Sequence, residues 1–259
     1  MAKIGITRDL FLLPLVDAIM RSQIEHPFQV VEQSAPQNCQ DLIEKTLDIA
    51  FITPIDYAKH SSNLSIVKDI AVFSEGPCKY ALLVFKENLP YFREVGFAGK
   101  SQYQVLTSVV LKEFYQAELE WRFQESLEGN HDEFSSYLLD GDAALENYQA
   151  LQRFLDIAEE WSDKAEARYF HQLLAVRKGE DAGQLLETLA LAREVGIRNV
   201  TTIAKAVAAT NGNTWDFYHE LFDENFRYFP DAAAWGDLSK YFEYLYYHGV
   251  LDEIPELHF

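Results

Sequence analysis

Basic residues are scarce in this chain: 22 Lys and Arg stand against 41 Asp and Glu in 259 residues, a formal net charge of −19. Nucleic-acid binding needs clustered cations to neutralise phosphates, so the composition argues against helicases and transcription factors. Cysteine is scarcer still. Cys39 and Cys78 form neither a disulfide framework nor a metal-ligand spacing and read as two reduced thiols. The other candidate ligands are no better placed, because His26, His60, His131, His219, His248 and His258 are scattered without zinc spacing. Neither a metal nor a cofactor is expected. No apolar run reaches about 18 residues, which removes a membrane-spanning helix. The opening Met-Ala-Lys-Ile-Gly-Ile enters a strand-like run at once, without a charged n-region or an apolar signal stretch, and points to the cytoplasm.

What the chain does have is core material: 48% of it is hydrophobic, ample for one large domain or two intimate ones. The first half alternates strand and helix. Residues 3–6, 28–31 and 47–52 read as strands, and residues 39–46 and a stretch carrying Leu15, Val16, Ile19 and Met20 read as helices. Pro14 suits the first turn of the earlier helix. Such alternation implies a parallel sheet with right-handed crossovers, whose ligands bind off the carboxyl ends of the strands. Thr7 to Asp9 and Thr53 to Asp56 face one opening on that topology. A β-rich stretch over 66–85 follows, with a turn at Ser74-Glu75-Gly76-Pro77, and the pattern breaks at Glu87-Asn88-Leu89-Pro90.

A second series has strands at 95–98 and 119–124, a helix at 105–115, a helix at 134–139 and an apolar strand at 143–145. A return strand spans 170–177, and everything after about residue 183 is helical apart from a short extended segment at 227–229. The lobes are accordingly placed at 1–87 with 177–259, and at 88–176. Most of the fourteen tyrosines and eighteen phenylalanines are explained as core.

The segment Leu47-Asp48-Ile49-Ala50-Phe51-Ile52-Thr53-Pro54-Ile55-Asp56-Tyr57-Ala58, followed by Ser74-Glu75-Gly76-Pro77 and an apolar strand, resembles the chorismate dehydratase family of the futalosine route to menaquinone. Phe154 to Trp161, Arg227-Tyr228 and the last helix resemble it too, so the likeness runs the length of the chain. It implies an α/β chain with the two-lobed fold of type-2 periplasmic binding proteins and a helical carboxyl-terminal region. It also implies a cofactor-free lyase acting on a small enol-pyruvyl carboxylate. Against the family pattern, Phe11 stands at an Asn position and Tyr80 at a Ser position. The family's Gly-Asp pair falls on Tyr148-Gln149 in one alignment and on Gly141-Asp142 in another.

The candidate site follows from both readings. The loop Gly99 to Gln104 precedes a helix whose N–H groups would face a carboxylate, with Lys100, Ser101, Gln102 and Tyr103 adding charge, hydroxyl and ring. A phosphate loop is not formed, since Glu94 replaces the required glycine five residues before Gly99. Glu75 is the candidate general base and Tyr80 the candidate hydrogen-bond donor, with a plain turn and a solvated charge as the bland alternative. Arg8, Asp9, Phe11, Thr53 and Ser74 line the expected opening, and Arg168 suits a bidentate carboxylate contact. His171, beside it, reads more simply as a hydrogen-bonded strand histidine. Three functions stay open: the lyase, a non-catalytic binding or sensing protein for a small carboxylate or aromatic ligand, and an importer's solute receptor. The partner in each is a small molecule.

Overall fold

The computed structural model describes residues 1–85, 94–99, 101–124, 134, 136–180 and 182–259. In chain order it begins β1 (Ala2–Ile6), α1 (Leu13–Met20), β2 (Phe28–Glu32), α2 (Ala35–Ile43), β3 (Ile49–Ile52), α3 (Pro54–His60) and β4 (Leu64–Ser74). The middle of the chain supplies β5 (Ala81–Phe85), β6 (Glu94–Phe97), α4 (Gln102–Tyr115), β7 (Glu120–Phe123), β8 (Ser136–Asp140), α5 (Asp142–Asn147), β9 (Phe154–Asp156) and α6 (Ile157–Ala165). It ends with β10 (Tyr169–Arg177), α7 (Gly183–Arg198), α8 (Val200–Ala208), α9 (Trp215–Glu220), a π-helical turn at Leu221–Asn225, β11 (Phe226–Arg227) and α10 (Ala232–Tyr247). The elements form two units: unit 1 is Met1–Ser74 with Tyr169–Phe259, and unit 2 is Glu75–Arg168.

Unit 1 holds a six-stranded sheet in the order β11-β4-β10-β3-β1-β2. Strand β1 pairs in parallel with β2 on one side and β3 on the other, while β10 runs antiparallel between β3 and β4. Burial explains the sequence of β3, since Ile49, Ala50, Phe51 and Ile52 are all fully buried, as in a central strand covered on both faces. Gly5 in β1 is required by close approach, because a Cβ there would strike the Asn38 side chain of α2 and Leu47. Gly196 serves α7 in the same way, since a Cβ would run into the Pro14 backbone of α1.

Helix α2 starts earlier than residue 39, because Ser34 caps it by accepting the Gln37 N–H and Pro36 fits its first turn. The tail is tied in as well: Ile66 N–H donates to the His258 carbonyl at 2.6 Å, and the Tyr57 hydroxyl donates to the Glu256 carbonyl at 2.9 Å.

Unit 2 holds a five-stranded sheet in the order β7-β6-β8-β5-β9, with β8 parallel to β6 and antiparallel to β5. Two expectations are corrected here. Residues 136–140 form strand β8 rather than a helix, since Ser136, Tyr137, Leu138 and Leu139 are buried at the centre of the sheet. A strand covered on both faces has no two-residue alternation to announce it. Residues 143–145 lie in helix α5 rather than a strand, after Gly141 turns the chain at φ +61°.

The divisions fall at Ser74/Glu75 and Arg168/Tyr169, earlier than the crossings expected at 87 and 177. Pairing sets them there. Strand β5 hydrogen-bonds β8 and β9 of unit 2, and β10 hydrogen-bonds β3 and β4 of unit 1 along its length.

Candidate functional site

In unit 1 the chain leaves β1 for β2 on one side and returns to β3 on the other, so the carboxyl ends of β1 and β3 form a topological switch point. Thr7, Asp9 and Thr53 sit there. The Thr7 hydroxyl donates to Asp9 Oδ2 at 2.5 Å, and Gln172 of the neighbouring β10 donates its Nε2 to Thr7 Oγ1 at 2.8 Å and to Asp9 Oδ2 at 2.7 Å. Gln172 is 1% exposed, and its Oε1 has no hydrogen-bond partner among the described residues. Thr53 is used locally: its hydroxyl and the Asp56 carboxylate form the capping box of α3.

Beside this polar group lies an aromatic one. Phe11, in a 3-10 turn that Asp9 opens, is buried with its ring 5.1 Å from Phe226 and 5.6 Å from His171. His171 is fully buried, also meets Tyr169 and Phe226 at 4.9 Å, and hydrogen-bonds Ser74 Oγ through Nε2 at 2.9 Å. It is the hydrogen-bonded strand histidine of the simpler reading. Burial pulls its pKa down to about 3, so the imidazole is neutral and the Ser74 contact is one between uncharged groups. Arg8 is elsewhere: its guanidinium is exposed and pairs with Glu32 at 2.5 Å.

In unit 2 the expected residues fall into three groups. Glu75 is exposed and faces the Arg168 guanidinium at 3.8 Å, an ion pair at the surface with little leverage as a base. Tyr80 is buried, its ring 6.2 Å from Tyr103 and its hydroxyl bonded to Asp142. Gly141 N–H donates to the Tyr80 carbonyl at 3.0 Å, so the Gly141-Asp142 pair lies directly against Tyr80.

Ser101 is the N-cap of α4, accepting the Gln104 N–H, with Gln102 and Tyr103 as the first helical residues. Its side chain also hydrogen-bonds Asp140, whose carboxyl is pushed up by burial against that bond. The mouth of α4 therefore already holds a carboxylate of the chain itself, where an anionic ligand was expected. Lys100 lies outside the described residues, as does His131.

Asp142 is raised by desolvation first and by Glu146 second, against the Tyr80 bond. Asp156, which the sequence did not suggest, is 3% exposed and accepts from Cys78 N at 2.9 Å, Lys79 N at 2.6 Å, Ala158 N at 3.1 Å and Glu159 N at 3.3 Å. It pins the left-handed turn at Lys79 (φ +58°) to the start of α6. Burial pushes its carboxyl up to about 6 against those N–H bonds.

Both cysteines are buried free thiols, and burial drives the pKa of each upward, Cys39 to about 12, so neither is a ready nucleophile. Among the described residues no His, Cys, Asp or Glu group is arranged to hold a metal, and no helix is long and apolar enough to cross a membrane.

Gln172 and Asp156 escaped the sequence reading for different reasons. The signal for Gln172 was present, since His171-Gln172 interrupts an otherwise apolar return strand, and buried polar residues in such runs are costly unless used. Asp156 showed only its local half, an N-cap aspartate with Glu159 three residues on, because its other partners are backbone groups of a turn 77 and 78 residues away.

Residues 2–247 match the family model described as menaquinone biosynthesis. No curated protein matches by sequence. Among solved structures, protein AF1704 from Archaeoglobus fulgidus superposes with a TM-score of 0.75 at 14% identity, covering 96% of this chain and 98% of that one. The aliphatic sulphonate binding protein SsuA from Escherichia coli gives 0.70 at 14%, covering 98% and 94%. The Candida albicans CA3427 product, described as having the generic periplasmic binding protein fold, gives 0.58 at 13%, covering 98% and 91%. At these identities the likeness establishes the fold, that of the periplasmic binding proteins.

Proposed function

The chain belongs to the menaquinone-biosynthesis family, and from that premise we propose that it is a cofactor-free lyase that dehydrates chorismate or a close enol-pyruvyl carboxylate in the cytoplasm. The match over residues 2–247 is the observation that carries the reading. In this elimination a base takes the ring proton at the carbon bearing the enol ether, the neighbouring hydroxyl leaves as water, and aromatisation supplies the driving force. The chemistry asks for a proton acceptor, a hydrogen-bonding partner for the departing hydroxyl, and anchors for two carboxylates.

Two acceptors have a supporting environment. One is the Tyr80–Asp142 pair, in which a buried phenol is bonded to a carboxylate of raised pKa. The other is Asp9, at the switch point of unit 1 with Thr7 and Gln172 as its donors. Glu75 is the weaker candidate because it is exposed and tied to Arg168. Placement of Gly141-Asp142 against Tyr80 supports taking that pair, rather than Tyr148-Gln149, as the equivalent of the family's Gly-Asp. Arg168 remains the proposed carboxylate contact, since Ser101 is taken by Asp140 and the Gln104 N–H.

A second reading, binding without turnover, draws on Phe11, which is packed between Phe226 and His171 where the family carries an amide. Incubating the purified protein with chorismate and following 3-enolpyruvylbenzoate by chromatography separates the two. Formation of the product is the expected result, and a thermal shift with no product gives the binding reading. Asp9→Asn and Asp142→Asn assign the acceptor, the correct one losing at least about 100-fold in kcat.

A further inference from the structure

Asp156 uses both of its oxygens, and it uses them on different segments. Oδ1 accepts from Ala158 N at 3.1 Å and Glu159 N at 3.3 Å, which caps α6. Oδ2 accepts from Cys78 N at 2.9 Å and Lys79 N at 2.6 Å. An asparagine caps a helix as well as an aspartate does, so α6 by itself does not call for a charge. Only a carboxylate accepts in both directions at once. Burial pushes this one up to about 6, so the fold holds it ionised against desolvation. The segment that asks for a carboxylate here is the turn.

That turn leads into Tyr80. Lys79 lies in the left-handed region at φ +58°, a conformation that a non-glycine residue keeps only when its surroundings impose it. Cys78 Sγ accepts the Tyr80 N–H at 3.3 Å and donates to Asp156 Oδ1 at 3.5 Å. On the other side, the main chain of Asp156 in β9 pairs with Leu82 of β5. Tyr80 is thus bracketed by one residue, through its side chain at 78 and 79 and through its backbone at 82. Beyond Tyr80 lies Asp142: the phenol bonds its carboxyl, and the Tyr80 carbonyl accepts the Gly141 N–H at 3.0 Å. Lys79 reaches the far end of the same helix, its ammonium 5.4 Å from the Tyr148 ring at the C-cap of α5. Asp156 and Tyr80 are buried, whereas Asp142 is exposed and open to a ligand.

We infer that Asp156 is a positioning residue: through the Cys78-Lys79 turn it holds the Tyr80 hydroxyl on Asp142, the proposed proton acceptor. This deepens the proposed lyase reading and rests on it for the use made of Asp142, though not for the link itself.

The Asp142 carboxyl is titrated by carboxyl-carbon NMR in wild type, Tyr80→Phe, Asp156→Asn and the double variant, with Asp142→Asn assigning the resonance. A hydrogen bond to the ionised form lowers a carboxyl pKa, so Tyr80→Phe is expected to move the Asp142 midpoint upward. Asp156→Asn is expected to move it the same way, because the one oxygen stays with the α6 cap and the amide –NH2 meets the N–H groups of Cys78 and Lys79. The double variant is expected to add nothing. Sign is decisive, since deleting a negative charge by itself would lower a neighbouring carboxyl, and an upward shift reports the lost hydrogen bond. Glu146, which acts on Asp142, and Glu159, which acts on Asp156, stay in place throughout. In turnover of chorismate the acidic limb of kcat is expected to follow, with kcat down roughly 10- to 100-fold and KM within about twofold. Cys78→Ala takes the sulfur from the Tyr80 N–H and keeps the N–H bonds of the cap. It is expected to give a smaller upward shift, and it carries the test if Asp156→Asn releases α6 or does not fold.

An unmoved midpoint in either single variant, a lowered one in Asp156→Asn, or shifts that add in the double variant overturn the inference and leave the lyase reading untouched. Non-additive upward shifts with kcat unchanged, or with no product from wild type, keep the link and remove the use proposed for Asp142.

Discussion

Among the ionisable groups that the two units bury, His171 of unit 1 and Asp156 of unit 2 are accommodated differently. Unit 1 encloses His171 in aromatic rings with the Ser74 hydroxyl on Nε2, so its stability requires the uncharged form. Unit 2 surrounds Asp156 with four backbone N–H groups from two separate segments, so the carboxyl acts as the tie between a turn and a helix. The difference is between a polar group that the packing tolerates and one that the packing is built around. Removing the first costs little, whereas removing the second leaves orphaned donors.

The largest expected effect breaks the tie in unit 2. Asp156→Ala strands the N–H groups of Cys78, Lys79, Ala158 and Glu159 and is expected to cost about 4 kcal/mol, read as lost hydrogen-exchange protection in β8 with β3 of unit 1 unaffected. Equal loss in both strands means the units unfold together. Next is the counterpart in unit 1: Gly196→Ala forces α7 off the Pro14 backbone and is expected to cost about 3 kcal/mol, this time in β3 and not β8.

Acid sharpens the contrast, because the two groups respond with opposite sign. His171 is held down to about 3 while a histidine in the unfolded chain titrates near 6.5, so between those values the unfolded chain binds more protons. Unit 1 is therefore expected to lose up to about 1.4 kcal/mol per pH unit as pH falls through that window, and His171→Gln to flatten the slope. Asp156, held up to about 6 against an unfolded value near 3.9, makes the folded unit 2 the better proton binder. Its contribution to stability declines as pH rises from about 4 to about 6, and Asp156→Asn removes that dependence. Denaturant melts followed separately by exchange in β3 and β8 across pH 4 to 7 check both signs. The smallest effect is Ser74→Ala, expected to cost about 1 kcal/mol for one neutral hydrogen bond, read as a shift in the denaturation midpoint.

How much of this was legible in the sequence depends on whether the determinant is local. Strands β1, β2 and β3 and helices α1 and α2 follow from patterns in adjacent residues, although the Ser34 cap with Pro36 starts α2 earlier than residue 39. Strand β8 was misread because complete burial erases alternation, and α5 because Ala143-Ala144-Leu145 is apolar in either geometry. At the candidate site, Thr7, Asp9 and Tyr80 were visible as polar groups at strand ends. Ser101 was visible too, but the Asp140 carboxylate against it was not, since nothing in the residues near either position announces a pairing 39 positions apart. The partner of Arg8 was hidden in the same way: Glu32 lies at the end of a different strand. Gln172 belongs to a third kind, present in plain view as a polar interruption of an apolar strand, with partners, Thr7 and Asp9, that only the fold brings to it.

The place of β10 in the unit 1 sheet bears on how the protein is made. It lies between β3 and β4, yet it is the last of the long strands in the chain, and nearly a hundred residues of unit 2 separate it from β4. On the ribosome, β3 and β4 emerge first and have no common neighbour until residues 169–177 leave the exit tunnel. All of unit 2 is out by then. The unit that begins the chain is thus the one that waits, and the insertion has the opportunity to fold first, as a contiguous segment whose strand pairings are all internal. During that interval the apolar faces of β3 and β4 are the exposed surface of the nascent chain, where chaperones have most reason to bind.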